Sequence, residues 1–260
     1  MEYAMKRFVK RIMLAAIVGG VCVPVLTAVQ MADVISNARV KYGNGERNLR
    51  DITITQEIRL INPEKAPETE MNVTRMKIYR KRACFRIETE IMATDESGGQ
   101  KRAMTNVVLY DGRDAWMISP MFVKSKLSKE ETRQFESQTS WWWNSLGPKA
   151  VLHGTETVEG KDCYLIDNTN DRSALIKRLW IDKNTFHLLQ SEVWGNGGAK
   201  EATIMVFTDY RKVDNSPDMP FNIRVFSRGI LLSVTTIKEV VVNTGLPDSL
   251  FSVSEKVTTP

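Results

Sequence analysis

The stretch Lys177 to Trp194, KRLWIDKNTFHLLQSEVW, constrains this chain most. It reads as two strands around a tight turn. In Asp182-Lys183-Asn184-Thr185, Asp starts the turn and Asn tolerates the left-handed conformation a short hairpin often needs. Side chains alternate along a strand, so Leu179 and Ile181 share one face while Arg178, Trp180 and Asp182 share the other. After the turn His187, Leu189 and Val193 alternate with Phe186, Leu188 and Trp194. Both faces of this hairpin are therefore apolar. Each needs a packed layer, or one must border a cavity.

The same period of two recurs on both sides of the hairpin. In Asp51–Leu60 the apolar residues Ile52, Ile54, Ile58 and Leu60 fall on even positions, and Thr53, Thr55, Glu57 and Arg59 on odd ones. That pattern predicts a strand with one buried and one wet face. Further strands are expected at 71–80, 84–93, 104–110, 115–119, 151–158, 163–166, 202–210, 221–226 and 230–242. Their turns include Arg80-Lys81-Arg82, Asp111-Gly112-Arg113, Glu159-Gly160-Lys161 and Arg228-Gly229. Residues 31–41 predict a short amphipathic helix with Val34, Ile35 and Ala38 on one face, ended by Gly43-Asn44-Gly45. Ser128-Lys129-Glu130-Glu131 has the capping-box form and predicts a helical insertion at about 127–147, closed by Gly147-Pro148. About ten or eleven short strands in meander order make one large antiparallel sheet, and a sheet that wide must curl. The expected fold is mainly β (α+β): one curved sheet, a closed barrel if it curls fully or a trough if it curls partly, with helices over its concave face.

Lys6, Arg7, Lys10 and Arg11 precede an apolar run from Ile12 to Val29, the pattern of a secretory signal. Residues 1–28 read as that signal, with cleavage after Ala28 or Ala32, and 29–260 as a single domain. An uncleaved segment would instead anchor the protein to the inner membrane. Residues 1–28 carry four basic groups and Glu2, so their removal takes the formal charge from +5 to about +2. A near-neutral domain has little electrostatic pull on nucleic acid. Export makes a bridge between Cys84 and Cys163 chemically feasible. Two Cys and two His, His153 and His187, are too few and too scattered for zinc.

The sequence contains no G-x-S-x-G elbow, H-E-x-x-H pair, P-loop or dinucleotide fingerprint. His153 and His187 lie on expected strands and read as packed or solvent-facing. We expect no catalytic residue, metal or cofactor. What stands out is apolar bulk: six Trp, with Met92, Met104, Met117, Met121 and Met205 in or beside strands. Methionine adapts its shape to flexible chains. In a helix Phe135, Trp142 and Leu146 would share one stripe, with Trp143 flanking it and Trp141 pointing elsewhere. The candidate trough and its cover comprise Trp116, Met121, Phe122, Phe135, Trp141, Trp142, Trp143, Trp180 and Phe207.

The run Gly160-Lys161-Asp162-Cys163-Tyr164, then Trp180-Ile181-Asp182-Lys183 with Thr185, Leu189 and Glu192, resembles the outer-membrane lipoprotein-sorting (LolA-like) superfamily. Phe207-Thr208-Asp209-Tyr210-Arg211, Pro220 and Pro247-Asp248-Ser249-Leu250-Phe251 extend the match. The resemblance spans about residues 30–255 and is strongest after 155. It implies an unclosed barrel with helices in its mouth, and a periplasmic carrier that holds lipid or lipoprotein acyl chains. It also implies an inner-membrane transporter and an outer-membrane acceptor as partners. The chain is longer than the small carriers, and no single arginine can be matched to the one that latches their helical cover. An envelope stress sensor or regulatory adaptor on the same fold, detecting lipoproteins or a protein partner, is the second function the resemblance allows.

Overall fold

Thirteen antiparallel strands form one sheet in the order β6-β5-β4-β3-β2-β1-β13-β12-β11-β10-β9-β8-β7. The computed structural model describes residues 30–61, 72–94, 101–119, 124–129, 131–132, 141–171, 174–195, 198–214 and 216–252. The strands are β1 (Asp51–Leu60), β2 (Asn72–Lys81), β3 (Cys84–Thr94), β4 (Lys101–Tyr110), β5 (Ala115–Ile118) and β6 (Ser125–Lys126) in the first half. The second half holds β7 (Val151–Val158), β8 (Lys161–Asp167), β9 (Ile176–Asp182), β10 (Leu188–Gly195), β11 (Gly198–Arg211), β12 (Met219–Ser227) and β13 (Ile230–Val242). The count exceeds the ten or eleven expected. Two-residue β6, for one, is too short to show alternation. The two meanders join through β1 and β13, with Ile52 opposite Val242 and Ile58 opposite Thr235. The edges, β6 and β7, do not pair with each other, so the half-barrel is unclosed.

Asp51 secures that central seam. Its buried carboxylate accepts the Thr244 and Gly245 amides at 2.9 and 3.0 Å and the Thr244 hydroxyl at 3.1 Å. Bonds to a charged acceptor are stronger than neutral ones, so a single side chain fixes where the chain leaves β13.

One described α-helix, α1 (Met31–Asn48), lies against the sheet. Val34, Ala38 and Tyr42 recur at helical spacing and pack with Ile166, Leu179 and Ile181 of β8 and β9. Gly43-Asn44-Gly45 does not end α1 as expected. A Cβ on Gly45 would stand 2.8 Å from the Pro217 nitrogen and the Ser216 carbonyl carbon, so glycine here permits close approach of two backbones.

The second apolar face of the hairpin has its own cluster: Val158, Cys163, Leu165, Trp180 and Leu189. The 3-10 turn Asp248–Phe251 contacts β3. It is held by Lys81, which donates to the Leu246 carbonyl and pairs with Asp248, and by Arg86, which donates to the Leu250 carbonyl. The basic tip thus fastens the chain's own tail. Cys84 and Cys163, on β3 and β8, are free thiols.

The capping box forms: the Glu131 amide donates to Ser128 Oγ, and Glu131 Oε2 accepts the Ser128 amide. Lys129, Glu131 and Thr132 are helical, but the α-helix does not run unbroken to Leu146. Trp141 is extended (φ −66°, ψ 149°), and Trp142–Asn144 is a single 3-10 turn. Residues 133–140, the proposed signal and the loops 62–70 and 95–99 lie outside the described residues.

Candidate functional site

A cavity of about 240 Å³ lies between α1, the tryptophan triplet and the concave face of the sheet. Ile52, Ile54 and Gln56 of β1 line it, as alternation along one strand demands. Ile78 and Arg80 of β2, Phe207 of β11, Ile223 of β12 and Ile237 of β13 continue the wall. Phe207 and Tyr210 both face inward although three residues apart. Asp209 adopts φ +55°, and the ladder to β12 skips it, passing from Thr208–Asn222 to Tyr210–Pro220. The register is the same on both sides of Asp209, so a left-handed kink of the backbone, and not an inserted residue, interrupts the strict alternation here.

Much of the remaining wall is aromatic and comes from four separate segments. Trp141 stacks on Trp143 (5.8 Å, 18°), Trp143 on Tyr42 (6.4 Å, 9°), Tyr42 on His187 (5.9 Å, 27°) and His187 on Tyr210 (3.9 Å, 8°). Trp142 meets Trp143 edge-on at 5.4 Å. Each stacked pair contributes about 0.5–1.5 kcal/mol beyond burial alone.

Polar groups beside this wall donate to backbone carbonyls of one loop. Trp142 Nε1 donates to the Phe186 carbonyl at 3.1 Å, the Tyr42 hydroxyl to the Thr185 carbonyl, and Lys41 Nζ to the Asn184 carbonyl at 3.1 Å. One loop, 183–187, therefore catches both α1 and the tryptophan segment. Asp182 starts that turn as expected, accepting the Asn184 and Thr185 amides at 2.8 Å. The left-handed residue is Phe186 (φ 57°), not Asn184. The Phe186 amide bonds the Asp182 carbonyl, closing a loop one residue wider than a two-residue turn.

Burial, helped by the carboxylates of Asp218 and Asp182, holds the Tyr42 phenol well above its ordinary pKa. Burial does the same for Tyr210, reinforced by Tyr42 and Asp218. For His187 burial lowers the pKa, opposed by Asp218, whose Oδ2 lies 3.2 Å from Nε2. This wall is thus uncharged at neutral pH. Asp218 and Arg80 are the ionic side chains of the lining. Among the described residues no group of three or more His, Cys, Asp or Glu could hold a metal ion.

Of the candidates, Trp141, Trp142, Trp143 and Phe207 line the cavity. Trp116 does not. It pairs with Leu109 and Lys126, with Lys124 Nζ 4.5 Å from its ring centre. Trp180 is in the opposite-face cluster, its Nε1 donating to Glu156 at 2.7 Å. Alternation had already put Trp180 opposite Leu179 and Ile181, the pair that meets α1. Met121, Phe122 and Phe135 lie outside the described residues. The lining methionine is Met219, rather than Met104, Met117 or Met205. Sequence reasoning also missed Tyr42, Phe186, His187 and Tyr210. Only the packed reading of His187 hinted at them.

A single curled, unclosed antiparallel sheet with a helix against it is a LolA-like fold. Solved structures of that type share it. A putative outer membrane lipoprotein-sorting protein domain from Vibrio parahaemolyticus matches with a TM-score of 0.59 at 14% identity, over 84% of this chain and 94% of its own. A LolA superfamily protein from Nitrosomonas europaea matches with a TM-score of 0.54 at 16% identity, over 87% and 99%. A protein-family profile described as "Uncharacterized protein" matches residues 147–255. No curated protein matches the sequence.

Proposed function

We propose that the protein is an exported, non-enzymatic carrier that holds an acyl chain of a lipid or lipoprotein in the periplasm. The apolar cavity between sheet, helix and tryptophans carries this reading. Taking about 30 Å³ per methylene, close to the share of a water molecule in the liquid, about 240 Å³ holds roughly eight methylenes. At ~0.8 kcal/mol each, their transfer from water is worth up to about 6 kcal/mol with no guiding hydrogen bond. The space is below the ~300–1,000 Å³ of drug-sized sites, so a larger guest requires the cover to shift. The shared loop 183–187 is the natural place, because releasing it frees α1 and the tryptophans together. The similar structure from Vibrio parahaemolyticus, a putative outer membrane lipoprotein-sorting protein domain, supports the same role; on this reading the carrier works between a transporter in one membrane and an acceptor in the other.

The test is direct. Delipidated protein should bind a fluorescent fatty acid, and protein taken from the envelope should carry lipid mass and an N-terminus near residue 29 or 33. A delipidated sample that takes up no fatty acid would refute the carrier reading.

A further inference from the structure

We infer that the stack Trp141–Trp143–Tyr42–His187–Tyr210 is an end-stop that sets the length of acyl chain the site rewards, and that the site takes one chain at a time. This rests on the acyl-binding reading above. The start of β1, the end of β11, and the starts of β10 and β12 lie at one rim of the sheet, as their antiparallel pairing requires. The stack crosses that rim, because Tyr210 closes β11 and His187 immediately precedes β10. Gln56 stands four residues inward of Ile52, about 13 Å at the strand rise. Phe207, Ile223 and Ile237 line the cavity with it.

Beyond Gln56 the same face continues. Ile58 of β1 and the pair Met205–Val225 are half-buried, and Leu60 is exposed. A chain can thus extend toward Leu60 but not through the stack. The stack does not yield readily. Tyr210 donates to the Leu188 carbonyl at 2.6 Å, Tyr42 to Thr185, and His187 is tied to Asp218. Turning any of these rings aside breaks a bond and unstacks a neighbour. Arg80, level with Ile52, directs its Nε to the Arg82 carbonyl at 3.4 Å.

Each methylene that enters the enclosed length should tighten binding about fourfold, and those beyond it much less. Two tight chains would not fit a space of about eight methylenes. The test is displacement of a fluorescent fatty acid from delipidated full-length protein by saturated fatty acids of increasing length, with native mass spectrometry for stoichiometry. For the unmodified protein we expect one chain bound and a break in the affinity series near eight to ten carbons. Trp141→Ala, which trims the half-buried end of the stack, should move the break to longer chains. Ile54→Trp, which adds bulk from the sheet, should move it to shorter ones, so either variant alone decides. A steady fourfold rise through sixteen carbons, a break unmoved in the variants, or two chains per protein would overturn the end-stop. Failure of the unmodified protein to bind any fatty acid would instead remove the acyl reading itself, and the end-stop with it.

Discussion

Gly43 and Gly45 sit two residues apart in α1, yet alanine should act on them in opposite directions. In a helix interior glycine costs about 0.5–1 kcal/mol relative to alanine, through the backbone freedom it loses on folding. At Gly43 an added Cβ meets only the Arg47 Nη2, at 3.8 Å, an ordinary contact with a flexible side chain. Gly43→Ala should therefore stabilise by about 0.5–1 kcal/mol. At Gly45 the same methyl stands 2.8 Å from two backbone atoms of the 216–217 segment, and backbone cannot turn aside. Overpacking of this kind typically costs about 1–3 kcal/mol, which outweighs the propensity gain. Gly45→Ala should be destabilising by about 1–2 kcal/mol net. In a domain this size 1 kcal/mol moves Tm by about 2–4 °C, so thermal unfolding should separate the two variants by roughly 3–12 °C. Because Pro217 and Asp218 line the cavity, Gly45→Ala should also weaken fatty-acid binding. Equal or greater stability of Gly45→Ala relative to Gly43→Ala would show that helix and loop do not approach as described.

Three further outcomes follow from individual contacts. Asp51→Ala strips the Thr244 and Gly245 amides of their buried acceptor, and should cost about 2–4 kcal/mol in denaturant unfolding. Trp142→Phe keeps the ring but leaves the Phe186 carbonyl without its donor; a loss of about 1–2 kcal/mol and faster release of bound fatty acid are expected by stopped flow. Burial depresses the His187 pKa, so the folded state favours the neutral ring and the unfolded chain takes up the proton first. Its contribution is present above the unfolded value of about 6.5 and is lost as pH falls through the folded one, so Tm should drop between pH 7.5 and 5.5, and less so in His187→Asn. An identical pH profile for that variant would exclude the histidine as the cause.

The sheet was legible because its signals are local. A strand shows its faces in alternating residues, and β7 and β13 fall at the residues expected, Val151–Val158 and Ile230–Val242. The prediction of two apolar faces on the β9–β10 hairpin likewise holds, with Leu179 and Ile181 in one cluster and Trp180 and Leu189 in another. The cover was less legible. Helical spacing gave the buried face of α1, Val34 and Ala38, but Gly43 and Gly45 read as a stop because the backbone that requires glycine at position 45 lies more than 170 residues away.

The sequence alone therefore determined a curled antiparallel sheet with apolar matter on its concave side, since period-two patterning and turn residues need no distant partner to be read. Tertiary structure alone decided where the cavity lies and what lines it. Residues 42, 141, 143, 187 and 210 share no period, and they meet only because β1 pairs with β13, the backbone kinks at Asp209 beside Tyr210, and one loop binds both covering segments. Contacts between residues far apart in the chain leave no local pattern, and the aromatic wall of this site is made of such contacts.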